Sequence, residues 1–263
     1  MAFPEATLLA LIMVRFDFDD VFGANYLHFY LPRLSEDRNR AEAAEIIDLL
    51  GLQPGDRVLD APCGHGRIAN LLAATGAVTT GVDASGVFLE LGRAQATEAG
   101  VEVDYRPGDL RQLPVPNQEY DCVVNWFTSF GYFDDNDNVL VLREFHRVLR
   151  PGGRLLIETM HRDGIVRAFP ATGSTHVERA GPDGMDLMID SSTFDVDSGR
   201  LLTERIVVRD GKSTTSNYSV RLPAPTGFRT WLQEAGFRSL RFSTRHGQPL
   251  TLDSRRLVVV AEA

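Results

Sequence analysis

Cysteine is scarce: the 263 residues contain only Cys63 and Cys122. One sits in a glycine-rich loop and the other opens an apolar run, so no disulfide framework is indicated and a cytoplasmic location is expected. Lysine is nearly missing, with Lys212 alone among 27 basic residues, which reads as a compositional bias of the genome. Positive charge is in deficit overall. The formal net charge of −9 leaves no electrostatic footprint for nucleic acid and disfavours an anionic membrane surface. Long apolar runs are lacking too. Thr7 to Val14 is too short to span a membrane, and the only charge before it is Glu5, so neither an anchor nor a signal peptide is expected. Residues 1–12 are expected to be a flexible extension or an over-long start ahead of Met13. Repeats, low-complexity segments and metal-ligand spacings are also absent, and no metal is expected.

What the chain does have is an apolar core fraction of 43% and one organising stretch, Arg57 to Ala69. Val58-Leu59 is an apolar run and Asp60 follows it. The loop Ala61-Pro62-Cys63-Gly64-His65-Gly66 then opens onto a helical pattern from Arg67. A buried strand ending in a glycine loop that starts a helix presents free backbone N–H groups to a crevice, as open α/β sheets do for adenosine-bearing cofactors. Gly64 to Ala69 also fits the dinucleotide fingerprint, with Asp83 at the expected distance for a ribose acid. Three further features separate the two readings: a carboxylate at Asp60, a second Gly-Asp at Gly108-Asp109, and Pro151-Gly152-Gly153 before an apolar run.

This set resembles the class I S-adenosylmethionine-dependent methyltransferases over roughly residues 41–159 and the last strand pair. The resemblance implies that Asp60, Cys63, Gly64 and Gly66 wall the methionine part of S-adenosyl-L-methionine. It also places Asp83 with Ala84 at the ribose, Asp109 with Leu110 at the adenine, and Asn125 at the end of the fourth strand among the cofactor-binding residues. Pro62 departs from the family's loop, which carries glycine there.

Alternating apolar and helical patterns predict strands over Val58–Asp60, Val78–Asp83, Val101–Tyr105, Tyr120–Asn125 and Gly153–Thr159. Helices are predicted over Ser35–Leu50, Arg67–Ala74, Ser85–Ala99, Asn138–Leu149 and Phe228–Ala235. The fold class is α/β: a Rossmann-like open sheet, mainly parallel, completed by Ser239–Thr244 and Leu257–Ala261, the last strand antiparallel in the resembled fold. Turn signals at Gly181-Pro182-Asp183-Gly184, Asp197-Ser198-Gly199 and Asp210-Gly211 predict antiparallel hairpins with strands Leu187–Phe194, Leu201–Val208 and Thr214–Val220. They resemble the β platform that small-molecule methyltransferases insert over their acceptor pocket. The expected organisation is an N-terminal extension and lid over 1–34, a core over 35–163 and 222–263, and an inserted β subdomain over 164–221.

Ligands of such sheets bind beyond the carboxyl ends of the strands. The aromatic loop Trp126, Phe127, Phe130 and Tyr132 is therefore expected to line an acceptor pocket. Tyr26 and Tyr30, one helical turn apart within the aromatic segment 16–34, are expected to join it from a lid, with core packing as the other reading. Asp134, Asp135 and Asp137 read as a solvated helix start. His161 and Glu158, at the end of the fifth strand, are the candidate catalytic groups: His161 for its titration near neutral pH, Glu158 with a buried partner as the other reading.

The function this implies is methyl transfer to a nitrogen or oxygen of a small-molecule acceptor in secondary metabolism. A C-methyltransferase acting on an alkene or prenyl chain, and a non-methylating cyclase or binding protein on the same fold, are the alternatives. A nicotinamide oxidoreductase is disfavoured by Asp60 and Gly108-Asp109.

Overall fold

The computed structural model describes residues 21–168, 172–182 and 184–263. Expectations for residues 1–12, the run Thr7–Val14 and the aromatics Phe16 and Phe18 lie outside the described residues.

The chain enters through α1 (Ala24–Tyr30), a 3-10 turn at Leu31–Arg33, and α2 (Glu36–Leu50). Ser35 caps α2 by accepting the Arg38 N–H, and Gly51 ends it in the left-handed region at φ +59°, which a residue with a Cβ rarely adopts. There follow β1 (Arg57–Asp60), α3 (Ala69–Ala74), β2 (Val78–Asp83), α4 (Gly86–Ala99), β3 (Val103–Pro107) and β4 (Tyr120–Asn125). Next come α5 (Asp135–Val148) and β5 (Leu149–Met160). After α6 (Arg162–Ala168), four strands form a separate antiparallel sheet in sequence order: β6 (Thr172–Gly181), β7 (Gly184–Asp195), β8 (Arg200–Arg209) and β9 (Lys212–Arg221). The chain then returns through α7 (Pro225–Glu234), β10 (Arg238–Ser243) and β11 (Arg256–Glu262).

The seven-stranded sheet has the order β10-β11-β5-β4-β1-β2-β3, with β11 antiparallel to both neighbours. Pairing Asp60 with Val124 and with Gly81 brings the carboxyl ends of β4, β1 and β2 level, and Asp83 opposite Pro107 adds β3. Successive side chains of a strand face opposite sides, and the core follows that alternation. Leu59, Val123, Leu155 and Val259 pack beneath Phe145, Phe228 and Phe237 on one face. Val58, Val124, Leu156 and Val258 pack beneath Ile46, Leu50 and Leu72 on the other. Each fully buried aliphatic side chain contributes about 1.5–3 kcal/mol.

Three departures from the sequence reading have local causes. β3 starts two residues late because Gly100, at φ +66°, turns the Val101 N–H back onto Ala96 O at 3.0 Å, closing α4 and consuming the donor a strand would need. α7 begins three residues early, at Pro225, whose fixed φ suits a first helical turn. The platform has a fourth strand, β6, beyond the three expected. Thr172–Gly181 is an edge strand whose largely polar, exposed residues carry no apolar alternation to reveal it.

The platform is fastened to the loop after β4. Arg221 N donates to Gly131 O at 2.7 Å, and Arg200 donates to Phe133 O at 3.0 Å. Gly131 is required there: a Cβ would stand 2.3 Å from Arg221 O, and its φ is +103°.

Candidate active site

The four level strand ends open into one cavity of ≈ 930 Å³. At its β1 side Asp60 is 2% exposed, with one carboxylate oxygen lacking any hydrogen-bond partner. Burial pushes its carboxyl up to about 7; Asp83 adds to the rise, and Arg67 and the Ala69 N–H oppose it. Asp83 is a brace as well as a lining group: it accepts the Gly64 N–H and the Ser85 N–H, each at 2.8 Å. Burial raises its carboxyl, and those backbone donors hold it back. Gly64 has open space where a Cβ would stand, so the cavity reaches the backbone there. Cys63 lines the wall with a buried thiol pushed up by desolvation, and Ala84 and Leu110 complete this end.

Two residues placed at the cofactor by sequence, Gly66 and Asn125, stand outside the cavity lining, and a third, Asp109, is in it. Gly66, at φ +77°, is packed under the Tyr105 ring, where a Cβ would stand 1.9 Å from the hydroxyl; it shapes the loop and does not line the cavity. Asn125 is fully buried and donates to Ala61 O at 2.9 Å, tying β4 to the loop. Asp109 lines the mouth, but Arg111 grips its carboxylate at 2.7 Å and holds its pKa down.

At the other end, Trp126, Phe127 and Tyr132 line the cavity as expected, and Tyr26 reaches it from α1. Phe22 stands edge-on to both Tyr26 and Tyr132, at 5.5 and 5.4 Å. Tyr30 and Phe130 are corrected. Tyr30 lies behind Tyr26, stacked at 4.6 Å with its hydroxyl on Arg205, and Phe130 is buried against Phe228 at 5.1 Å in the sheet core. Asp134 caps α5 through the Asp137 N–H at 2.8 Å, in keeping with the solvated helix start.

Sequence reasoning missed Tyr218, which the platform delivers to the same cavity. Its hydroxyl accepts from Arg205 at 3.2 Å, and Arg205, itself 5% exposed, pairs with Asp190 at 2.7 and 2.8 Å. Arg205 also reaches Val21 O, so one buried ion pair binds the platform to the segment before α1. Period-two alternation on β8 and β9 was the available signal; the register that brings Arg205 and Tyr218 together was not.

The two expected catalytic groups stand outside the cavity. His161 is 3% exposed, its Nδ1 within 3.0 Å of Ser254 O, because α6 starts at Arg162 and its Gly164 lets that carbonyl approach. Glu158 is fully buried, pairing with Arg245 at 2.9 Å and with Arg256, and accepting the Phe127 N–H at 3.0 Å. The one histidine among the described residues that line the cavity is His65, which burial and Arg67 hold down at about 4.

The orphaned oxygen of Asp60, the bare backbone at Gly64 and the carboxylate of Asp83 fit a ligand with a cationic amino-acid tail and a ribose. This fold and site are similar to those of the class I S-adenosylmethionine-dependent methyltransferases, and residues 58–153 match the family model described as a methyltransferase domain. Among curated proteins, the ubiquinone/menaquinone biosynthesis C-methyltransferase UbiE of Teredinibacter turnerae is 36% identical over 117 residues, 42% of this chain and 45% of that protein. The match thus spans less than half the length of that relative. UbiE of Escherichia coli O1:K1 is 29% identical over 205 residues, 74% of this chain and 72% of that protein. Among solved structures, the CcbJ methyltransferase of Streptomyces caelestis superposes with a TM-score of 0.70 at 23% identity, covering 86% of this chain and 89% of that one. The sugar N-methyltransferase KedS8 of a Streptoalloteichus species gives 0.66 at 19% identity, covering 88% and 90%. No helix among the described residues is long and apolar enough to cross a membrane.

Proposed function

We propose that the protein transfers the methyl group of S-adenosyl-L-methionine to a nitrogen or oxygen of a small, polar, ring-bearing acceptor of secondary metabolism, in the cytoplasm. The observation that carries this reading is the continuity of the cavity, which runs from Asp60 and Asp83 to the three tyrosines Tyr26, Tyr132 and Tyr218. When bound, the cofactor supplies an already activated methyl group. The chain's own task is orientation, which is worth several kcal/mol when reacting atoms are held about 3 Å apart. Asp60 would take the ammonium of the amino-acid tail on its free oxygen, Asp83 the ribose hydroxyls, and Leu110 with Phe88 the adenine.

Residues 164–221 would form the platform over the acceptor, the N-terminal segment up to residue 34, which includes α1, the lid, and residues 35–163 and 222–263 the core. Burial raises the Tyr26 hydroxyl to about 12 and Tyr132 well above the ordinary phenol value, so both serve as neutral hydrogen-bonding walls. His65, at about 4, is a weak base. A neutral amine needs no stronger one, which favours nitrogen.

C-methylation is the second reading, supported by the UbiE relatives. Against a prenyl chain stand the hydroxyl-bearing tyrosines and the Ser198, Arg200 and Asp197 rim, which suit an acceptor carrying heteroatoms. The fold likeness to KedS8 also extends over too much of the chain to leave out the platform. Calorimetric binding of S-adenosylmethionine, S-adenosylhomocysteine and NADH, followed by labelled-methyl transfer into an extract of small metabolites, tests the proposal. Label on nitrogen or oxygen is the expected result. A new C–CH3 bond would favour the second reading, and binding of NADH alone would overturn both.

A further inference from the structure

The loop after β4 contains two consecutive non-glycine residues with left-handed backbone, Phe127 at φ +65° and Thr128 at φ +61°. Residues with a Cβ rarely adopt that conformation, and it persists only where the surroundings impose it. Here one residue imposes it from both sides. Glu158 accepts the Phe127 N–H on Oε2 and the Thr128 N–H on its main-chain oxygen, each at 3.0 Å. Arg256 closes the arrangement from β11, pairing with both oxygens of Glu158 and donating to Thr128 Oγ1 at 2.7 Å.

The same carboxylate is tied to a second one. Arg245 donates to Glu158 at 2.9 Å and to Glu42 at 3.0 Å. Glu42 also accepts from Arg38 at 3.0 Å, Arg67 at 2.6 Å and the Trp126 indole at 3.1 Å. Burial pushes the Glu42 carboxyl up, but Arg67 and Arg245 outweigh it and hold it at about 2, so this hub stays charged across the working pH range. Arg67 and Arg38 then lie over the Phe127 ring at 4.9 and 5.1 Å. Backbone, ring and preceding indole are all clamped by two buried carboxylates and their arginines.

Sheet order gives the clamp a target. β4 adjoins β1, so the turn follows the strand next to the one that ends in Asp60, while Asp83 ends β2 and Asp109 follows β3, one and two strands further along the same sheet edge. A nucleoside held at Asp83 meets the turn only with the part of the molecule that extends past its ribose toward β4. We infer, resting on the function proposed above, that Glu158 is a positioning residue: with Arg256 and Arg245 it sets the Phe127–Thr128 turn as the wall against which the cofactor's amino-acid tail is held. Glu158 touches neither cofactor nor acceptor. A charged acceptor suits this role because its hydrogen bonds to N–H groups are shorter and stronger than neutral ones, and the two arginines compensate its buried charge.

Two probes separate this role from a general structural one. S-adenosylhomocysteine and 5′-methylthioadenosine share the nucleoside and the thioether sulfur but differ in the amino-acid tail. Glu158→Ala is expected to weaken S-adenosylhomocysteine binding about ten-fold or more while leaving 5′-methylthioadenosine within about two-fold, read by calorimetry as dissociation constants. Adding Thr128→Gly, which frees the backbone to take positive φ unaided, is expected to restore roughly three-fold of the lost affinity. Should Glu158→Ala not fold, Arg256→Gln at a site 26% exposed carries the same test, with a tail-selective loss of about three-fold. Equal losses for both probes, no loss, or no gain from Thr128→Gly would overturn the positioning role. A wild-type protein that binds neither probe would instead overturn the cofactor assignment on which it rests.

Discussion

The two ends of the cavity are built differently. The cofactor end is made by the strand ends of one parallel sheet, with Asp60, Gly64 and Asp83 within 24 residues of chain and backbone N–H groups as their partners. The acceptor end is assembled from α1, the part of the loop after β4 that lies beyond the Phe127–Thr128 turn, and the platform, and its members meet through long arginine side chains. A sheet carries its edge with it once its core is buried, so the first end is fixed by packing. The second end depends on individual ion pairs between separate elements. The difference implies that cofactor binding and acceptor binding fail independently, and substitutions can be chosen to make each fail alone.

The largest effect is expected at the acceptor end. Arg205→Met leaves Asp190 as a buried carboxylate without its cation, and breaking such a pair costs about 3–5 kcal/mol of stability. The same change releases the segment at Val21 and the hydroxyl of Tyr218 from the platform. Chemical denaturation should report the loss. S-adenosylhomocysteine affinity of the folded fraction should stay within about two-fold, a difference of under half a kcal/mol. If cofactor affinity collapses in parallel, the two ends are not separable.

The converse is Asp83→Ala. Removing a charged acceptor from the ribose hydroxyls, and from the Gly64 and Ser85 N–H groups, should weaken cofactor binding by about 1.5–3 kcal/mol. Calorimetry reads this directly, and unchanged affinity would remove Asp83 from the site.

Asp60 adds a pH dependence whose sign can be worked out. Its carboxyl, at about 7 in the folded protein against an ordinary value of 3.8, is protonated in the native state at pH values where the unfolded chain is ionised. The native state then holds more protons than the unfolded one between those limits, so this group's contribution to stability falls as pH rises from about 4 to 7. Each unit of that displacement corresponds to about 1.4 kcal/mol. Asp60→Asn should therefore raise the thermal midpoint of the ligand-free protein at pH 8 while weakening binding of the cofactor's cationic tail. In the wild type, S-adenosylhomocysteine affinity should increase from pH 6 to pH 8 with release of less than one proton on binding, measured by calorimetry in buffers of different ionisation enthalpy. A flat profile would place the tail elsewhere.

The same division marks how far the amino-acid sequence could be read. β2 and β4 coincide with their expected limits because a strand buried on both faces is a bounded apolar run. Asp60 and Asp83 follow, being strand-terminal by position alone. Tyr218, Arg205 and Asp190 were beyond reach because their partners are separated by up to 184 residues, and only the platform's register brings them together. Phe130 and Tyr30 show the same limit in smaller form: aromatic clustering indicated a wall, but which ring faces inward is settled by Phe228 and Arg205, far away in the chain.

His161 gives the smallest expected effect and the sharpest contrast with a sequence-only reading. Alternation along β5 tells which face a side chain takes, but not what covers that face. Here the covering element is the segment before β11: His161 N donates to Arg255 O at 3.0 Å, and the ring nitrogen Nδ1 meets Ser254 O at the same distance. Both contacts join the end of β5 to the entry of β11, so the imidazole supports the junction and stands clear of the cavity lining. His161→Ala should thus cost about 1–3 kcal/mol of stability through the lost contact and the space it leaves. Methyl transfer by the folded enzyme should stay within about three-fold of wild type, with no change in the shape of its pH profile between 5 and 8. A turnover loss of a hundred-fold at unchanged cofactor affinity, with the alkaline limb of that profile shifted, would bring the imidazole back to the acceptor. It would also require β5 and the segment before β11 to rearrange when the acceptor binds.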